Sequence, residues 1–213
     1  MDIVFNATVS LDGSGDFKSI GAAISAAPDN SNSRFYIRIK SGTYNEHIEV
    51  ESQKTFITLI GDNAATTVIV DNRSNGTGFG TSQSATFAVR GNNFMAKSIT
   101  FENSAGPNNG QAVALLNDQA NYITFYRCVF LGYQDTIFIN GNHLFFKDCE
   151  ICGTVDFIFG DGLAVFQDCK IYARSSNNTI TVTAQSKDSK DQKSGFSFQN
   201  CSVMASPELG SRK

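Results

Sequence analysis

The sequence predicts an all-β fold, a right-handed parallel β-helix of about 20–24 residues per coil with a short N-terminal capping helix. Three observations predict it. A Phe-x-x-Cys pattern recurs at Phe125–Cys128, Phe146–Cys149, Phe166–Cys169 and Phe198–Cys201, with the first three copies about 21 and 20 residues apart, a period that reads as a stack of repeats. The apolar runs are short and alternating, as half-buried strands require. No long helical pattern competes with them. A β-sandwich would use the same strands but would leave the in-phase Phe and Cys positions unexplained.

Residues 16–27 are the one helix candidate, with Phe17, Ile20 and Ile24 at helical spacing and Pro28 as a stop. Such a helix can cover the open end of a strand stack. Residues 35–40, 57–62 and 67–70 follow with strand composition. Residues 99–104 read as an earlier relative of the repeat, which puts Ser104 at the Cys position. Ile123-Thr124-Phe125, Leu144-Phe145-Phe146, Ala164-Val165-Phe166 and Phe196-Ser197-Phe198 then occupy one place on successive coils. The interval from Phe166 to Phe198 is about 11 residues too long for one coil, and the polar run 186–195, with Asp188 in it, reads as a protruding loop.

The 213 residues fit a single domain, 1–213. Charged residues make up 17% and the net charge is −3, which points away from nucleic acid and anionic membranes. No apolar stretch approaches the roughly 18 residues of a membrane span, and the N-terminus has no signal-peptide pattern. Sequons begin at Asn6, Asn72, Asn75, Asn177 and Asn200. The five cysteines admit two readings: Cys128–Cys149 and Cys169–Cys201 bridges across neighbouring coils, with Cys152 as the odd thiol, or an interior ladder of small apolar side chains.

Asp135 and Asp156 each stand seven residues after a repeat Cys, so the two carboxylates fall on neighbouring coils. Two acids this close cannot both ionise freely. One pKa rises while the other stays low, which supplies a proton donor and an anionic nucleophile from one residue type. A cation-binding Asp ladder is the bland reading of the same spacing. His47 and His143 are the only histidines and no Gly-x-Ser-x-Gly elbow accompanies them, so a Ser-His-Asp hydrolase is disfavoured. No His/Cys spacing reads as a zinc site, and the glycines of 12–15 and 76–80 form turns rather than a nucleotide loop.

Five ordered blocks carry a family resemblance over essentially the whole chain: Asp12-Gly13-Ser14-Gly15-Asp16-Phe17, Gly42-Thr43-Tyr44-Asn45-Glu46, Gln111-Ala112-Val113-Ala114-Leu115, Gly132-Tyr133-Gln134-Asp135-Thr136 and Gly153-Thr154-Val155-Asp156-Phe157-Ile158-Phe159-Gly160. Together they closely resemble the signature blocks of plant pectin methylesterases. The resemblance implies a cofactor-free, metal-free esterase that removes methyl esters from cell-wall homogalacturonan. It implies Asp156 as nucleophile, Asp135 as general acid and then base, and Gln111 and Gln134 as oxyanion donors. It also places Thr81 and Gln111 against the substrate, with Phe138 and Phe159 as walls for the sugar rings, although core packing explains the two phenylalanines equally well. Further implications are a secreted, apoplastic, monomeric protein and a proteinaceous pectinesterase inhibitor as partner.

The chain departs from the family in three places. Leu116 replaces the Arg that usually follows Gln-Ala-Val-Ala-Leu, and His143-Leu144-Phe145 stands where Arg-Gln-Phe is common. The family's later Leu-Gly-Arg-Pro-Trp block, whose Arg orients the nucleophile, has no counterpart in this Trp-free sequence; Arg212 lacks its context. Without the C-terminal coils the last sheet edge is expected to lie uncovered. These departures support a second expectation, a non-catalytic pectin-binding or regulatory relative. A β-helical glycosidase with two carboxylates is disfavoured by the complete Gln-Asp and Asp blocks.

Overall fold

The computed structural model describes residues 3–175, 179–187 and 189–207; the Asn177 sequon, Asp188 of the expected loop and Arg212 lie outside these residues. Their strands form three wholly parallel sheets of eight, seven and six strands. Each coil visits the three in turn. One coil runs through Ile123–Tyr126 in the eight-stranded sheet, Val129–Leu131 in the seven-stranded sheet and Ile137–Asn140 in the six-stranded sheet, then returns at Leu144–Lys147. This is the predicted parallel β-helix.

Alternation explains why these segments are strands. In Ile123–Tyr126, Ile123 and Phe125 point inward and are fully buried, while Thr124 and Tyr126 are partly exposed. The repeat Phe side chains are in register, Phe125 on Phe146, Phe146 on Phe166 and Phe166 on Phe198. Their rings stack at 5.1, 4.6 and 4.7 Å. Phe130 from the neighbouring sheet meets Phe146 edge-on at 5.7 Å. Offset and edge-on aromatic pairs add to the burial of their large surfaces. Phe146→Ala, at the centre of this column, is therefore expected to cost about 3–5 kcal/mol, read as a lower midpoint in urea unfolding with the slope unchanged.

No disulfide joins the five cysteines, so the bridge reading gives way to the interior ladder. Three of the repeat thiols turn instead to the backbone of the preceding coil. Cys149 donates to the Phe125 carbonyl at 3.5 Å, Cys169 to that of Phe146 at 3.5 Å, and Cys201 to that of Phe166 at 3.4 Å. This is why Phe and Cys recur together. Burial pushes the Cys128 thiol up to about 12, which keeps it protonated and unreactive.

Three sequence boundaries shift. The helix is Ile20–Ala26, with Ser19 as its cap. Glu46 reaches over from the first coil to accept the Ile20 and Gly21 N–H groups at 2.9 and 3.0 Å, which fixes the start and leaves Phe17 outside, bridged to Val9. The helix buries Ile20, Ala23 and Ile24 against the end of the stack, as a cap should. Residues 99–104 do not lie on the Phe-x-x-Cys line. Phe101 pairs with Phe130, and Ala96 pairs with Phe125, so Ser104 is not at the Cys position. Finally, the extra length between Phe166 and Phe198 is divided between residues 174–182 and 186–194, on either side of strand Thr183–Gln185. The last strand among the described residues, Ser202–Ala205, is exposed along its whole length.

Candidate active site

The two aspartates sit at the corner where each coil passes from the seven-stranded to the six-stranded sheet. Both adopt the left-handed conformation, with φ 65° at Asp135 and 49° at Asp156, which Asp tolerates better than most residues because its short polar side chain bonds locally. Pairing of Ile137 with Ile158 and Phe138 with Phe159 places Asp135 directly over Asp156. The Asp135 N–H donates to the Val155 carbonyl at 3.0 Å, and the Thr154 N–H to the Tyr133 carbonyl at 2.9 Å. Glycine is required at the mouth of the turn. A Cβ on Gly132 would come within 2.6 Å of Thr136 Oγ1, and one on Gly153 would collide with the Phe157 ring.

The environments of the two carboxyls differ. Asp135 is only 6% exposed, whereas Asp156 is partly open to solvent. Burial first, then the nearby charge of Asp156, push the Asp135 carboxyl up to about 7, against a hydrogen bond from the Gln134 side chain. Gln134 and Gln111 follow from the same stacking. The Gln134 carbonyl accepts the Ala112 N–H at 3.2 Å, and that of Gln111 accepts the Asn75 N–H at 2.9 Å. The backbones of the two glutamines thus stand one coil apart, and the Gln134 side chain is the one bonded to Asp135. Among the described residues no group of three or more His, Cys, Asp or Glu is placed to hold a metal ion.

Phe138 and Phe159 lie on the outward face of the six-stranded sheet, not in the coil interior. Their rings stack at 4.5 Å and pack on a separate apolar cluster of Ala85, Ala88, Val113 and Leu116. They also line a cavity of about 360 Å³ with Asn140, Asp161 and Ser186. Leu116, in the place of the expected Arg, therefore belongs to the floor under these rings. Thr81 precedes the short helical turn Ser82–Ser84. Its carbonyl accepts from Ser84 Oγ at 2.7 Å, and that oxygen in turn accepts the Val113 N–H at 3.1 Å. Thr81 is thus tied to the edge of the same face, but through backbone, with no direct bond to either aspartate.

Arg174 is the residue that sequence reasoning missed. From the coil after that of Asp156 it donates to the Gly132 carbonyl at 3.1 Å and to Tyr133 Oη at 2.8 Å, and its guanidinium lies 3.9 Å over the Tyr133 ring. Its own N–H donates to the Gly153 carbonyl at 2.8 Å. One side chain and its backbone thus grip both aspartate turns. Only the register of that coil reveals it. The two histidines stand away from the pair: His47 bonds the Ala85 carbonyl and Glu49, and His143 stacks on Tyr122.

The pectinesterase family model matches residues 6–213. The chain belongs to the pectinesterase family. It is 45% identical over 207 residues to the probable pectinesterase/pectinesterase inhibitor 39 of Arabidopsis thaliana, a match over 96% of this chain and 39% of that protein. It is 46% identical over 205 residues to pectinesterase 2 of Citrus sinensis, covering 96% and 40%. The chain thus spans about two-fifths of the curated relatives it matches. Among solved structures, carrot pectin methylesterase superposes with a TM-score of 0.94 at 39% identity, over 99% of this chain and 66% of that one. A pectin methylesterase mutant in complex with a hexasaccharide superposes at 0.88 with 33% identity, over 98% and 68%. The right-handed parallel β-helix of the family is the fold of this chain.

Proposed function

We propose that the protein hydrolyses the methyl esters of homogalacturonan, releasing methanol and leaving pectate. The observation that carries this reading is the difference between two adjacent carboxyls: Asp135 is buried, which with the Asp156 charge pushes it up to about 7, and Asp156 is partly open to solvent. Asp156 attacks the ester carbonyl and forms an acyl-enzyme anhydride. Gln111 and Gln134 donate amide hydrogens to the tetrahedral oxyanion. Asp135 gives its proton to the departing methoxide, so methanol leaves. Asp135, now anionic, takes a proton from water as the water attacks the anhydride, and this frees Asp156 and restores the acid. Phe138 and Phe159 offer flat apolar faces to the sugar rings, with Thr81 at the groove edge.

The names of the plant relatives, which pair pectinesterase with pectinesterase inhibitor, support action in the plant cell wall and control by a proteinaceous inhibitor; a monomeric state is part of the same proposal. No described helix is long and apolar enough to cross a membrane. The deciding assay follows methanol and reducing ends from highly methylesterified pectin. Methanol without new reducing ends is expected. New reducing ends would point to chain cleavage instead, and pectin binding with neither product would defeat the catalytic reading.

Arg174 acts in this scheme as a positioning residue. Arg174→Met is expected to lower kcat about tenfold with little change in KM, because a small misplacement of the turns degrades attack geometry. Arg174→Lys should recover little, since an ammonium cannot serve the carbonyl, the hydroxyl and the ring face together. Equal loss in kcat and in substrate binding would assign Arg174 to folding alone.

A further inference from the structure

The coil corner opposite the aspartates, between the six- and eight-stranded sheets, carries an unassigned surface. Tyr122 is 61% exposed, yet its ring is held flat on that of His143, with centroids 4.9 Å apart and planes 15° apart. Both residues adopt left-handed backbone, φ 62° and 60°, as the corner demands on successive coils. Exposed aromatic pairs in a fixed geometry offer a flat apolar platform beside water.

A cavity of about 350 Å³ lies on each side of this corner. One includes Asn142, His143, Gln192 and Lys193 in its walls. The other includes Arg90, Asn92, Gln119 and Asn121. Each is lined by three amide side chains, and those of Asn142 and Gln119 make no hydrogen bond among the described residues. Primary amides donate and accept side by side, which suits vicinal hydroxyls. No net positive charge remains. Arg90 is bonded to Glu49 and Asp118, and Lys193 shares its cavity with Asp161. A polyanion finds no net attraction here. The surface is also continuous with the groove, because Asn140 and Asp161 line both the Asn142–Lys193 cavity and the one beneath Phe138 and Phe159.

We propose that the Tyr122–His143 platform and its flanking amides form a second polysaccharide-binding site, which takes a neutral, methylesterified stretch of the uronan chain outside the catalytic groove. The ligand class rests on the functional reading above; the platform itself rests on the stack, the amides and the lack of net positive charge. Its role is to retain the polymer between catalytic events by adding a second point of attachment.

The test compares wild type, Tyr122→Ala and Tyr122→Phe on highly methylesterified pectin, on polygalacturonate and on a short methylesterified oligogalacturonide. Tyr122→Ala is expected to weaken binding to methylesterified pectin five- to tenfold in affinity electrophoresis. It should also lower the ratio of kcat/KM on pectin to kcat/KM on the short oligomer by a similar factor. Tyr122→Phe keeps the ring and should stay within twofold of wild type. Unchanged pectin affinity in Tyr122→Ala would overturn the proposal, as would an equal loss on polygalacturonate. A wild type that releases no methanol but binds methylesterified pectin through Tyr122 would defeat the esterase reading and leave the platform standing.

Discussion

Asp156→Asn is expected to reduce methanol release by at least about 10⁴-fold, the scale on which loss of a covalent nucleophile is felt. The substitution is a clean one. Asn tolerates the left-handed φ of 49° that this corner imposes, and it keeps the size of the side chain, so the turns of Gly132–Thr136 and Gly153–Phe157 should persist. A second readout separates chemistry from folding. The charge of Asp156 is one of the two causes that raise the Asp135 carboxyl to about 7; with an amide in its place, the Asp135 titration should move down while remaining above the ordinary range, because burial is the larger cause. Carboxyl-resolved NMR or infrared titration reads that movement. If the aspartate pair instead served only to hold a cation, Asp156→Asn would leave methanol release standing, and the nucleophile assignment would fall.

Much of this site was legible in sequence because a β-helix converts spacing into position. Asp135 and Asp156 stand at matching distances from Cys128 and Cys149, and the coil register brings them together. The same logic failed where one coil offers two equivalent readings. Ile99-Thr100-Phe101 has the alternation of Ile123-Thr124-Phe125, but alternation records only which side chains face inward, not which of three inward-facing sheets a strand joins. Phe101 belongs one sheet further on, beside Phe130. Turn length is equally silent, since Ala173 and Thr183, and Gln185 and Gly195, stand further apart in sequence than on the preceding coil while the strands they flank keep their register. The cysteines show a third limit. In-phase thiols on adjacent coils are compatible with bridges and with backbone bonds, and the rotamers decide for the Phe carbonyls. Arg174 was invisible because its partners, Gly132 and Tyr133, lie more than 40 residues earlier and no local motif marks the contact.

Asp135→Asn is expected to lower kcat/KM by about 10²–10⁴, the usual range for a general acid–base group, and to alter the pH dependence of stability in a direction fixed by the site. In the wild type, catalysis starts from protonated Asp135, so kcat/KM should fall as pH rises through about 7, the value to which burial and Asp156 push this carboxyl. The same shift is a stability statement. A carboxyl whose native pKa lies above its unfolded value of about 4 favours folding fully below that value, and the contribution is lost as pH rises through about 7. Wild-type stability should therefore decline between about pH 4 and 7 by an amount that the neutral amide of Asp135→Asn does not lose. The full shift would correspond to about 4 kcal/mol; access of water to the neighbouring Asp156 reduces the expected difference to about 1–2 kcal/mol. Urea unfolding at pH 4.5 and pH 8 reads it directly. At pH 8 the variant should be the more stable protein, although it has lost most of its activity, because the buried charge that the reaction uses is the one that the fold tolerates least. Parallel stability curves for the two proteins would show that Asp135 ionises normally in the folded state, and would remove the acid from the proposed mechanism.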